Sequence, residues 1–400
     1  MSEASGKGVT APAGFRASGL HVGLKKVKKD LALIYSEVPA AVAGVFTTNQ
    51  VKAAPLLVTM PRVAAGRAQA VVVNSGNANA CTGEQGLADA REMARSTAEA
   101  LAIDEDSVLV SSTGVIGQRL PVDKIAAGLP EAVRRLSKDG HTDAAEAILT
   151  TDTFIKEAQA SFDTGSGTVT IGGMAKGSGM IHPNMATMLG FITTDASIPA
   201  EALQQALRYA ADRSFNMITV DGDTSTNDMV LVMANGRAQS DPVQPDTPAF
   251  EAFREKLLEV CVSLAKAIAR DGEGATCLVE VRAKGLATEE EARLVARSIA
   301  RSNLVKTAVF GRDANWGRII CAAGYSGARF GPHNFDVYLG DMAVARGGQG
   351  LDFDEEKASA ILSRDTVVIT VDLKSGPCAA TAWGCDFSYD YVKINASYRT

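Results

Sequence analysis

Beyond Ala175 a flexible, proline-marked polar run, Lys176-Gly177-Ser178-Gly179-Met180-Ile181-His182-Pro183-Asn184-Met185-Ala186, leads through a lone Thr187 into the apolar residues Met188 and Leu189. An N-terminal nucleophile needs that arrangement. A threonine hydroxyl alone is a poor nucleophile. A free α-amino group on the same residue, with an unperturbed pKa of about 7.7 to 8.0, is a general base poised near neutral pH. Creating that amine requires breaking the Ala186–Thr187 bond. On pattern alone, a β-branched residue opening a strand is the commoner reading of the same residues.

Three other segments are denser in Gly, Ser, Thr, Asn and Asp than a connection requires: residues 74–83, 111–117 and 221–228. Polar loops at strand ends are where sites are built. Familiar motifs fail in these loops. Gly172-x-x-x-x-Gly177 begins like a phosphate loop, but Ser178 stands where the lysine must be. The run from Asp221 imitates a calcium loop, yet its sixth residue is Thr226 and its twelfth Val232, not Gly and Glu. No spacing rule joins His182 to Ser178 or Asp195 as a hydrolase dyad, so His182 reads as structural, and Cys81 reads as a small buried residue beside Gly83.

These loops must be held by strands and helices. Apolar runs at 70–74, 107–111, 168–171 and 189–192 read as buried strands, with helices over about 87–101 and 201–213. The polar, proline-punctuated stretch 239–248 is the linker candidate. Beyond it, Phe250, Phe253, Leu257, Val260, Cys261, Leu264 and Ile268 recur at helical spacing, and Thr288 with Glu291 forms a capping box. Strands are expected near 277–281, 305–310 and 335–339, and in the alternating Val367, Ile369, Val371 and Leu373. The expected fold is mixed α/β: layered sheets with flanking helices and a smaller C-terminal α/β part over about 249–400.

The chain has 400 residues, 46% of them hydrophobic, enough to bury a large core. A net charge of -6 supplies no basic field for nucleic acid. The one cationic cluster, Lys25-Lys26-Val27-Lys28-Lys29, reads as a solvated turn or strand. No apolar run approaches membrane-spanning length and the N-terminus has no signal-like region, so a cytoplasmic protein is expected. Six dispersed cysteines and four histidines have no metal-ligand spacing.

Over nearly its whole length the sequence resembles the ornithine acetyltransferase family, the glutamate N-acetyltransferases of arginine biosynthesis. The resemblance is carried by Asn74-Ser75-Gly76-Asn77-Ala78-Asn79-Ala80-Cys81-Thr82-Gly83, Ser112-Thr113-Gly114-Val115-Ile116-Gly117, Thr150-Thr151-Asp152-Thr153 and the 176–189 segment. It continues through residues 214–228, Ala269-Arg270-Asp271-Gly272-Glu273-Gly274-Ala275-Thr276, Asn315-Trp316-Gly317-Arg318-Ile319 and the final Ile394-Asn395-Ala396-Ser397-Tyr398-Arg399-Thr400. It implies an ornithine acetyltransferase/DmpA-like fold of the N-terminal-nucleophile type. It also implies self-cleavage into an α-chain (1–186) and a β-chain (187–400) that stay together, with an α2β2 heterotetramer as the assembly. Thr187 would be the nucleophile, Thr113 and Gly114 the oxyanion hole. Thr153, Lys176, Thr187, Glu273, Asn395 and Thr400 would bind substrate, Thr153 being preferred to Thr151. The implied reaction carries acetyl from N-acetylornithine to glutamate by ping-pong catalysis. It needs no metal or organic cofactor, and leaves open acetyl-CoA as a second acetyl donor.

Three positions depart from the family pattern: Cys277 where lysine is usual, Ala314 where proline is usual, and Ser397 where aspartate is common. They keep open a specialised paralogue, such as one serving clavulanic acid synthesis. The rivals are a self-cleaving aminopeptidase or amidase of related fold and an uncleaved amino-acid-binding scaffold.

Overall fold

The computed structural model describes residues 7–182 and 188–397. Thr187, Ala186 and Thr400 lie outside the described residues, as do residues 183–185.

Two sheets carry the architecture, and the mixed α/β expectation holds. The first contains β1 (Phe15–Leu20), β2 (Leu31–Phe46), β3 (Arg67–Asn77), β4 (Val108–Val115), β5 (Lys156–Asp163), β6 (Thr168–Lys176), β7 (Leu189–Thr194) and β9 (Met229–Ala234). Its order is β4-β3-β2-β9-β7-β6-β5, with β1 paired to the first half of β2. The second contains β8 (Ile218–Thr219), β10 (Leu278–Leu286), β11 (Asp336–Leu339), β12 (Met342–Arg346), β13 (Gln349–Gly350), β14 (Thr366–Asp372) and β15 (Cys378–Cys385). Its order is β13-β12-β11-β14-β10-β15-β8.

Every residue of β7 and β9 is buried. That is why both read as continuous apolar runs: strands covered on both faces lose the polar alternation of a half-exposed one. Between the two sheets lies one core, joining Ile171, Ile192 and Val232 of the first to Val281 and Ile369 of the second. The helix Pro248–Arg270 runs through that layer. Thr247 caps it by accepting from the Phe250 amide, Pro248 opens it, and Phe253, Leu257, Leu264 and Ile268 are fully buried along one face. Helix Glu289–Arg301 starts at the expected cap, the Thr288 side chain accepting from the Glu291 amide. On the far side, helices Gly83–Leu101 and Val122–Arg134 cover Leu33, Val72 and Val110 of the first sheet.

One element differs in kind from its sequence reading. Residues 305–310 belong to a helix, Asn303–Phe310, not a strand. Ser302 caps it, accepting from the Val305 amide, and Val305, Ala308 and Val309 face inward at the three-and-four spacing of a helix. The β-branched residues suggested a strand, and tertiary burial at helical period overrode that propensity.

Candidate active site

Register brings the predicted residues together. Lys176 ends β6 and pairs with Leu189 at the start of β7, which pairs in turn with Met229 at the start of β9. Asn227, just before β9, donates from Nδ2 to the Ala78 carbonyl at 2.6 Å and the Ser112 carbonyl at 2.9 Å. That clamp fixes this edge against the end of β4, where Thr113 and Gly114 lie opposite Ser75 and Gly76 of β3. At Gly114 φ is +135°, and a Cβ there would sit 2.3 Å from the Gly76 carbonyl carbon, so only glycine fits.

A cavity of about 130 Å³ opens among these strand ends, lined by Thr113, Gly114, Lys176, Glu273 and Asn395 together with Met188. Five residues drawn from four separate stretches of sequence thus share one space. Lys176 is buried, its Nζ donating to Thr113 Oγ1 at 3.4 Å. Glu273 is buried too. Its amide donates to the Ser178 carbonyl at 3.1 Å, its Oε2 accepts from Asn395 Nδ2 at 2.8 Å, and its carboxyl packs on Gly179, where a Cβ would come within 2.5 Å.

Thr153 is placed elsewhere. It is exposed, its hydroxyl and amide donate to the Asp271 carboxylate, and it lines a neighbouring depression. Thr150 and Thr151 line the cavity instead. The cause is Asp152, whose buried carboxylate accepts from the Thr150 amide at 3.0 Å, the Gly177 amide at 2.7 Å and Lys156 Nζ at 2.8 Å. It pins the preceding two threonines beside Lys176 and turns the following one away. Burial alone would raise the Asp152 carboxyl, but the charges of Lys176 and Lys156 overcome it and hold the group well below the usual carboxylate range.

Sequence reasoning assigned no role to Asp221, Asp223, Asp228 and Tyr391, which also line the cavity. Asp221 accepts from the Met180 amide at 2.5 Å and the Ile181 amide at 2.9 Å. Burial pushes the Tyr391 hydroxyl up to about 12, helped by the negative charges of Asp221, Asp223 and Glu273. Those three carboxyls therefore form an acidic wall around Tyr391, whereas the cavity's cation stands beside Thr113. Lys25 is a further surprise in a cluster read as solvated. Its Nζ donates to the carbonyls of Lys29 and Leu149, and burial, with the nearby Lys176 charge adding to it, lowers it to about 8 despite Asp30.

The residues of the discarded hydrolase dyad are not among those that line the cavity. Ser178 Oγ donates to the Asp271 carbonyl, Asp195 accepts from the Ala13 and Thr170 amides, and His182 Nδ1 meets Thr219 Oγ1. Cys81, expected to be buried, is exposed in a left-handed turn with φ of +56°. Cys277 is buried, and that burial pushes its thiol up to about 12. Among the described residues no His, Cys, Asp and Glu cluster could hold a metal ion, and no helix is long and apolar enough to cross a membrane.

Comparison with known proteins places the whole chain in context. The ArgJ family model matches residues 16–400. The arginine biosynthesis bifunctional protein ArgJ of Symbiobacterium thermophilum is 61% identical over 396 residues, 98% of this chain and 98% of its own length. The protein of that name from Geobacillus kaustophilus is 55% identical over 393 residues, covering 98% and 96%. A crystal structure of arginine biosynthesis bifunctional protein argJ from Bacillus halodurans superimposes with a TM-score of 0.52 at 51% identity, covering 53% of this chain and 100% of that one.

Proposed function

The chain belongs to the ArgJ family, and from that premise we propose that it cuts itself between Ala186 and Thr187 and moves acetyl from N-acetylornithine to glutamate through acetyl-Thr187. The observation that carries the reading is the single cavity in which Lys176, Thr113 and Gly114 meet Glu273, Asn395 and the acidic wall. An amino acid with a cationic side chain matches that charge pattern. Its α-carboxylate is held by Lys176, with the hydroxyls of Thr150 and Thr151 at hand, and its side-chain ammonium meets Glu273 in a charge-assisted hydrogen bond.

The Thr187 hydroxyl attacks the acetyl carbonyl while its own amine takes the proton. Thr113 and Gly114 donate to the oxyanion, a contribution worth about 2.7 to 4 kcal/mol per donor. The carbon–nitrogen bond then breaks, the proton passes to the departing ornithine nitrogen, and an acetyl ester remains on Thr187. Glutamate enters, its amine attacks the ester carbonyl, and the hydroxyl is restored as N-acetylglutamate leaves. Thr400 completes the substrate contacts in this reading. An α2β2 assembly and a cytoplasmic setting are part of the same proposal, as is acetyl-CoA as a second donor, tested by glutamate-dependent thiol release.

The test is the denatured intact mass of wild type beside Thr187→Ala. Two fragments totalling the 41.7 kDa chain plus one water, with the heavier beginning at Thr187 and the variant uncut, are expected. Transfer of labelled acetyl from N-acetylornithine to glutamate completes it. Acetyl released to water regardless of glutamate would point to the amidase rival, and an uncut wild type to the scaffold.

A further inference from the structure

Asp228 is the last residue before β9. The amide after it, that of Met229, donates to the Met188 carbonyl at 3.1 Å, so Asp228 lies across the ladder from the first described residue of the nucleophile's strand. Its neighbour Asn227 clamps the same segment to the Ser112 carbonyl, one residue from Thr113. Asp228 lines the cavity and is 3% exposed, yet among the described residues its Oδ2 has no hydrogen-bond partner. Native structures rarely leave such a group unsatisfied without a use for it.

An ionised carboxyl here would be a dry charge without an ion pair, the most costly state for a buried acid. The neutral acid removes that charge and supplies an O–H at the wall of the cavity that Thr113 and Gly114 also line. We infer that Asp228 works as a neutral carboxylic acid that donates a hydrogen bond to an anionic oxygen of the bound substrate. Complete burial pushes its carboxyl well above the usual range, with Ser225 and the Lys176 charge pulling weakly the other way. The other charged or titratable groups facing the cavity are Asp221, Asp223, Glu273 and Tyr391. The inference rests on the acyl-transfer reading. That reaction offers two anionic oxygens, the substrate α-carboxylate and the oxyanion that develops at the acetyl carbon.

The experiment compares wild type, Asp228→Asn and Asp228→Ala, each first checked by intact mass for cleavage. Asparagine keeps the shape and a neutral donor, so Asp228→Asn should cut and retain activity within about tenfold. Asp228→Ala should lose about 10²-fold, the range for one oxyanion donor. A rise in KM assigns the bond to the α-carboxylate, and a fall in kcat assigns it to the oxyanion. The infrared difference spectrum between wild type and Asp228→Asn should show a protonated-carboxyl carbonyl band that shifts when N-acetylornithine binds. An absent band, an uncut Asp228→Asn, an Asp228→Asn below a hundredth of wild-type activity, or an Asp228→Ala equal to wild type would each overturn the inference. If Asp228→Ala does not fold, the asparagine variant and the band decide. An uncut wild type overturns the acyl-transfer reading and this inference together, whereas a cut, active wild type with a failed Asp228→Asn overturns this inference alone.

Discussion

Replacing Glu273 with glutamine tests the charge logic of the cavity, because the change keeps size and hydrogen-bonding capacity while removing one negative charge. Glu273 is 7% exposed and already accepts from Asn395 Nδ2, a bond that a glutamine oxygen can keep. What is lost is a charge-assisted bond to the ornithine side-chain ammonium, worth about 1.5 to 3 kcal/mol. At about 1.4 kcal/mol per decade, that is a loss of about 10- to 150-fold. Asp221 and Asp223 remain on the acidic wall and keep part of the attraction, so the lower end of the range is expected. Glutamate carries a carboxylate where ornithine carries an ammonium, and it should bind Glu273→Gln as well as wild type or better. The assay is initial rate over a matrix of both substrates. In a ping-pong reaction kcat/KM for each substrate reports its own half-reaction. The expected result is a fall for N-acetylornithine and none for glutamate. Equal losses for the two, or an unchanged value for N-acetylornithine, would refute the assignment of Glu273 to the ammonium.

Gly114→Ala should drive a methyl into the Gly76–Asn77 backbone at a φ alanine rarely adopts, with contacts of 2.3 and 2.5 Å. At least a 10²-fold loss of kcat is expected, with a lowered Tm in the same preparation. Lys156→Met strands two buried carboxylates, Asp152 and Asp271, which now lie 2.8 and 2.5 Å from Nζ. Urea unfolding should show about 3 to 5 kcal/mol of destabilisation, as for other broken buried pairs. The same network makes a pH prediction. The Asp152 carboxyl is lower in the folded chain than in the unfolded one, so its stabilisation is present above about 3.9 and lost as pH falls below it. Acid unfolding should therefore begin at higher pH in Lys156→Met. Thiol labelling of the native protein should modify exposed Cys81 and Cys321 first, and reach Cys261, Cys277 and Cys385 only on unfolding. Fast labelling of Cys277 would contradict its burial.

Much of the molecule was legible before any coordinates, and what escaped did so for identifiable reasons. The caps at Thr247 and Thr288 and the apolar face of Pro248–Arg270 are local signals, and local signals survive folding. Residues 305–310 misled because Val305, Thr307 and Val309 suit strands, while the decisive Ser302 cap lay upstream. Lys176, Glu273 and Asn395 could be named through resemblance, but nothing in their spacing said they would meet. Thr150, Thr151 and Thr153 are chemically alike, and only the bonds of Asp152 decide which of them face the cavity. The acidic loop from Asp221 was recognisable as polar and wrong for calcium. Its actual task, capping the turn at Met180 and walling the cavity, depends on contacts across the fold that no short window contains.

The strand order of the first sheet also bears on what a break after residue 186 does to the molecule. Strands β7 and β9 would belong to the later fragment, while β2 on one side and β6 on the other would belong to the earlier one. The later fragment is thus wedged into the sheet like a tongue in a double groove, held along Ala41 to Phe46 at one margin and Ile171 to Lys176 at the other. Drawing it out means unzipping both margins at once and opening the core between the sheets. Severing that one peptide bond would therefore free a chain end without loosening the body, and the two pieces would behave mechanically as one.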